Sequence, residues 1–204
     1  MRALIALILL SVSAFAAPLK KPIVLDAGHG GYDEGTRVQS VLEKKIALTT
    51  ALLTKKHLEE LGYRVILTRT RDVYLPLQRR VTIANKTQGM LFVSIHFNAA
   101  KNTAAKGIEV YYYDSKEQTR RVRTQASKRL ATNVLFHLLQ ETQARSRGVK
   151  TASHHVTRET KMPAIMVEGG FITNREERLL LKDRDYLDQI AQGIAVGIHK
   201  FVSS

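Results

Sequence analysis

The sequence predicts a single α/β domain, a mainly parallel twisted sheet flanked by helices on both faces. Three observations carry that expectation. Apolar runs recur at Ile23–Ala27, Met90–His96 and Ala164–Val167, as strands covered on both sides require. Segments of helical periodicity lie between them, and strands alternating with helices pair in parallel. The 204 residues suffice for one sizeable core. No internal repeat or Pro/Ser-rich linker divides them.

Each element follows from local pattern. Ile23–Ala27 is a strand that ends in a turn at Gly28, Gly30 and Gly31. Gly35–Ser40 is polar loop. From Leu42 an apolar stripe (Ile46, Leu52, Leu53, Leu58, Leu61) repeats at helical spacing up to Gly62, a C-cap residue. Val65–Thr68 is the next strand, and a helix follows Pro76 to about Lys86. Met90–His96 is a buried strand, Lys101–Lys106 a loop, and Ile108–Tyr113 an alternating strand nearer an edge. Arg121–Thr142 carries Leu130, Val134, Leu138 and Leu139 on one helical face. A short strand is expected at Ser153–Thr157, a buried one at Ala164–Val167, and one or two helices over Glu176–Val202.

Composition narrows the chemistry. There is no cysteine, which excludes disulfides, thiolate metal sites and a cysteine nucleophile. Residues 1–16 read as a secretory signal: Arg2, the apolar stretch Ala3–Val12, and the small-x-small site Ala14-Phe15-Ala16. The stretch falls short of the ~20 apolar residues that span a bilayer. The working domain is therefore expected over residues 17–204, exported to the periplasm or cell envelope. The net charge of +14 favours anionic surfaces, and for an exported protein these are envelope polymers or lipid headgroups rather than nucleic acid.

Four polar residues stand out against this background. His29 follows the first strand, His96 and Glu168 close later apolar runs, and Glu43 opens the first helix. In open parallel sheets, sites form beyond the strand C-termini, so the four are expected to converge. Two imidazoles and one carboxylate suit zinc and leave a position for water. The remaining carboxylate would move that water's proton. Glu168 fits this role, because Val167 and Phe171 give it apolar surroundings that raise its pKa. Such a set hydrolyses amide bonds. Asp26 would orient His29 or cap its turn, Asn98 would donate to a substrate carbonyl, and Arg158 would hold a substrate carboxylate. Tyr111, Tyr112 and Tyr113 read mainly as sheet packing, and His57, His137 and His199 as helix residues without a role; of His154 and His155, near the end of the sheet, one could touch substrate, although a loop histidine pair is more often incidental.

The motifs resemble a known family. Asp26-Ala27-Gly28-His29-Gly30-Gly31, Glu43-Lys44, Thr68-Arg69, Leu77-Gln78-Arg79-Arg80, Ala84-Asn85, Ser94-Ile95-His96-Phe97-Asn98-Ala99 and Met162 to Asn174 occur in the order found in zinc-dependent N-acetylmuramoyl-L-alanine amidases of the cell-separation type. The resemblance covers nearly all of Ile23–Val202. It implies zinc (Zn2+) on His29, Glu43 and His96, and a catalytic glutamate at Glu168. The implied substrate is peptidoglycan, cut between the N-acetylmuramic acid lactyl group and L-alanine, with a role in cell division.

Departures from the family pattern matter. Ala27 replaces a proline, and the loop from Thr36 to Leu42 lacks the usual glycines. Tyr113–Thr124 is too short and polar to form the helix that plugs some members, so an open site is expected, and no wall-binding domain is evident. A protein activator stays unidentified, and a monomer is expected. Competing readings are a zinc carboxypeptidase acting on wall peptides, a non-catalytic envelope-binding module and a basic nucleic-acid binder. The first lacks its close-spaced ligand pair, the second has no need of Glu168, and the third would bind without zinc.

Overall fold

A computed structural model describes residues 21–204; the expected signal segment lies outside them. Along the chain run β1 (Ile23–Ala27), β2 (Arg37–Val38), β3 (Val41–Leu42), α1 (Glu43–Glu60), β4 (Val65–Leu67), α2 (Leu77–Lys86), β5 (Leu91–Asn98), β6 (Ile108–Tyr112), α3 (Arg121–Thr142), β7 (Ser146–Thr151), α4 (His155–Glu159), β8 (Ala164–Phe171), α5 (Arg175–Leu180) and α6 (Arg184–Ser203). Six strands form one sheet in the order β4-β1-β5-β8-β6-β7. The first four are mutually parallel; β6 runs antiparallel to β8, and β7 parallel to β6. The α/β class and the mainly parallel sheet are as expected.

Alternation within the strands decides which side each residue faces. Ile23, Leu25, Val93, Ile95, Ile165 and Val167 point to one side, into the larger core that α1, α3 and α6 cover. Val24, Phe92, Ala164 and Met166 point to the other, where Val81 and Ala84 of α2 and Val156 of α4 close a smaller core. His96 and Glu168 share the parity of this second face. The chain leaves β1 toward β4 on one side and later returns to β5 on the other. The gap between β1 and β5 is thus a topological switch point, where a crevice opens beyond the strand ends.

Several expectations are corrected. Residues 153–157 do not form a strand: α4 takes His155–Glu159, and the strand lies earlier, at β7. The β7 residues Ser146-Arg147-Gly148-Val149-Lys150-Thr151 are half-exposed, and an edge strand needs no apolar run to pair. Ile108–Tyr112 is consequently an interior strand, covered on one side by β7. The polar loop after Gly35 contains the small hairpin β2–β3.

The apolar run at 164–167 continues as a strand through Phe171, because β6 pairs with it as far as Glu168 and β5 as far as Phe171. The register shifts between His96 and Asn98, so Gly169 and Gly170 absorb a bulge. No helix among the described residues is long and apolar enough to cross a membrane.

Candidate metal centre

The turn after β1 is strained. His29 has φ 57°, Gly30 130° and Gly31 61°, three successive residues in the positive region. A histidine there costs energy that the surroundings must offset. Two buried arginines do so. Arg69 donates from Nε to Ala27 O (2.9 Å) and from Nη2 to Gly28 O (2.6 Å) and Lys44 O (2.8 Å). Arg80 donates from Nη1 to Ala27 O (2.6 Å) and from Nη2 to His29 O (2.7 Å). Turn carbonyls with no strand partner thus gain charge-assisted bonds.

Asp26 anchors this frame rather than His29. Its carboxylate accepts from Arg80 (2.8 Å), Thr68 Oγ1 (2.6 Å) and Ser94 Oγ (2.8 Å). Burial pushes its pKa up, but Arg80 and the two hydroxyls outweigh burial and hold it below the ordinary value. The expected partnership with His29 does not form, because Asp26 lies inside the strand and faces α2. Asp33 takes that place, 2.9 Å from His29 Nδ1, with its Oδ1 also accepting from Gly35 N. The Gly30–Asp33 bridge brings it there.

His29, Glu43 and His96 converge. Glu43 Oε1 lies 2.9 Å from His29 Nε2 and 2.9 Å from His96 Nδ1. It also accepts from Phe97 N at 3.2 Å, while Oε2 accepts from Thr36 N at 2.9 Å. The two imidazole rings are 4.8 Å apart and nearly perpendicular. One donor atom from each residue falls within 4.8 Å of the others.

Burial opposes the charge on Glu43, yet the two histidines hold its pKa far below the usual carboxylate range. His29 is raised by Glu43 and Asp33 despite the opposing effect of burial. The neighbouring backbone is shaped to the set: a Cβ on Gly28 would collide with the His96 ring, and one on Gly35 would lie 2.6 Å from Glu43 Oε2. Two nitrogens and a carboxylate at this spacing fit a borderline divalent cation such as zinc.

Glu168 sits beside them, in register with His96 across β5 and with Glu109 across β6. It lies within its strand and not beyond it. The residue is half-buried, but its Oε2 has no solvent contact and no hydrogen-bond partner. Burial, then the charges of Glu43 and Glu109, push its pKa well above the ordinary value. A carboxyl so placed takes up a proton more readily than an exposed one and is positioned to exchange it.

The other expected residues are dispersed. Asn98 Nδ2 donates to Glu109 at 2.6 Å and its Oδ1 accepts from Ala99 N, so its amide is engaged within the fold. Arg158 bonds Glu159 and Ser153 and lines a separate groove with Arg120 and Arg123. The cavity at the centre holds about 160 Å³ and is lined by residues including His29, His96, Tyr74, Leu77, His154 and Met166. No residue of Tyr113–Thr124 lines it. Of the pair His154-His155, read from sequence mainly as incidental, both line this cavity, and His154 has its Nε2 buried and unpartnered, edge-on to Tyr111. Its one sequence signal was its place in the His154-His155 pair near the end of the sheet.

Comparison with known proteins agrees with this arrangement. The Amidase_3 family, described as N-acetylmuramoyl-L-alanine amidase, matches residues 23–200. The chain is 38% identical over 187 residues to the N-acetylmuramoyl-L-alanine amidase LytC of Bacillus subtilis, covering 89% of this chain and 36% of LytC, so it spans about a third of that relative. The catalytic domain of the amidase CwlV from Bacillus (Paenibacillus) polymyxa superposes with a TM-score of 0.82 at 35% identity, covering 90% and 98% of the two chains. The CwlD amidase of Clostridioides difficile, solved in complex with the GerS lipoprotein, gives 0.83 at 32% identity, covering 90% and 99%.

Proposed function

The chain belongs to the N-acetylmuramoyl-L-alanine amidase family, and from that membership we propose that it is a zinc-dependent peptidoglycan hydrolase. It cleaves the amide between the lactyl group of N-acetylmuramic acid and L-alanine. His29, Glu43 and His96 would hold the zinc, which when bound polarises a carbonyl and brings a water's pKa near neutrality. The observation that carries the proposal is the meeting of these three side chains one strand away from the unpartnered Glu168 carboxyl.

The chain's own groups then have defined tasks. Glu168 accepts a proton from the attacking water, whose oxygen bonds to the amide carbon. It returns that proton to the departing nitrogen as the C–N bond breaks, leaving a lactyl carboxyl and a free L-alanine amine. Its raised pKa suits it to both directions of transfer. Asp33 holds His29 in one orientation, and Arg69 and Arg80 hold the turn that carries it. The signal-like residues 1–16 and the positive charge support action in the cell envelope against an anionic polymer. CwlD's complex with a lipoprotein makes a protein partner a reasonable extension, with the chain itself a monomer.

The test uses purified mature protein and insoluble peptidoglycan. Turbidity falls with zinc, stops with chelator, and the released stem peptides begin with L-alanine. Glu168→Gln keeps zinc and loses activity by about 10²–10⁴-fold. Peptides shortened at their C-termini, with the lactyl amide intact, would replace this reading with a carboxypeptidase.

A further inference from the structure

The rim of the cavity carries an aromatic surface that the mechanism leaves unused. Tyr32 and Tyr74 stack with ring centroids 4.1 Å apart and planes 27° from parallel. Tyr32 is 78% exposed and Tyr74 40%, and Leu77 beside them is 56% exposed. Tyr74 and Leu77 line the same cavity as His29 and His96. Exposed apolar area of this kind, continuous with a site, marks a binding surface.

The surface is held rigidly against the metal-binding turn. Asp72 accepts from Gly31 N at 2.7 Å and pairs with Lys44 Nζ at 2.8 Å; Lys44 also donates to Gly31 O at 2.7 Å. A Cβ on Gly30 would strike Val73 O, and one on Gly31 would lie 2.5 Å from Tyr74 N. The turn carrying His29 and the loop carrying Tyr74 therefore touch backbone to backbone. One face of Tyr32 rests on Tyr74 and the rest of the ring is open to solvent.

Resting on the amidase reading, we propose that the Tyr32–Tyr74 pair is a saccharide subsite that stacks on an N-acetylated aminosugar ring of the glycan strand beside the scissile amide. A pyranose presents a flat face of C–H groups that matches an open aromatic ring, and its hydroxyls stay in water. A peptide side chain gains most from a concave pocket, which a flat exposed pair does not offer. Stacking on the glycan would supply binding energy shared by the bound substrate and the transition state, which lowers KM.

The chain has no tryptophan, so Tyr32→Trp introduces a single indole reporter on the platform. Titration with peptide-free GlcNAc–MurNAc oligosaccharides should shift its emission saturably, and adding Tyr74→Ala should weaken that titration. In kinetics, Tyr32→Ala should raise KM about three- to tenfold on a muramyl-peptide, with kcat and zinc content unchanged. It should have no effect on a D-lactoyl-L-alanyl peptide, which keeps the amide and lacks the sugar. Tyr32→Trp should retain the wild-type KM. An unchanged emission, or an equal loss on both substrates, overturns the proposal; the second result would assign the pair to the peptide. A saturable shift in a protein that releases no stem peptides upholds the subsite and removes the amidase reading instead.

Discussion

Asp26 shows how one side chain ties stability to the site. It is fully buried, with Arg80, Thr68 and Ser94 around it, and its pKa in the fold lies below the ordinary value. The folded state thus binds this proton more weakly than the unfolded chain, whose carboxyl titrates near ~3.9. Its contribution is fully present above that value and disappears as pH falls through the lower folded value. Asp26→Asn strands the Arg80 charge in the interior and should cost about 3–5 kcal/mol at neutral pH. In urea melts at stepped pH, the gap between wild type and variant should close below pH ~4. The same residue marks a limit of reading from sequence. Its motif places Asp26 beside the site, but offers as its task only a bond to the nearby His29 or a cap on the turn. The actual partners are 42, 54 and 68 residues away, and no local pattern encodes such separations.

At the scale of elements, the close approach of α6 to α3 offers a clean test. Gly193 and Gly197 lie one turn apart on the face of α6 that meets α3. A Cβ on Gly197 would lie 2.5 Å from Val134 Cα and 2.9 Å from Asn133 O, backbone atoms that cannot swing aside. Gly197→Leu gains up to ~1 kcal/mol of helix propensity but forces the helices apart, and should destabilise by about 2 kcal/mol or more. A scanning calorimeter should register roughly 4–8 °C. These helices cover the face opposite His96 and Glu168, so the folded variant should retain its activity per molecule at 25 °C. Strand errors arose where burial differs from the pattern an isolated segment shows. β7 pairs at an edge with no apolar run, and β8 outlasts its apolar run because β5 and β6 both pair with Glu168 and β5 goes on to pair with Phe171.

For the whole molecule, a cation would join the β1 turn, the start of α1 and β5 into one unit, since His29, Glu43 and His96 come one from each. Zinc at a hundredfold excess over its Kd should add about 2.7 kcal/mol. The chelated protein should therefore melt several degrees lower, recover with zinc, and lose most of that zinc response in His96→Ala. Periodicity and apolar runs determined the α/β class and most helices by themselves, because each depends on neighbours within about a dozen residues. Residue chemistry singled out His29, His96 and Glu168 for the same reason, as unusual polar groups at the ends of apolar runs, and Glu43 as the carboxylate that opens the first helix. The tertiary structure alone decided that Asp33 orients His29, that His154 and Tyr74 line the cavity with Tyr32 stacked on Tyr74, and that Arg158 does not line it. Those relations come from loops brought together by strand order, and distance through space has no counterpart in distance along the chain.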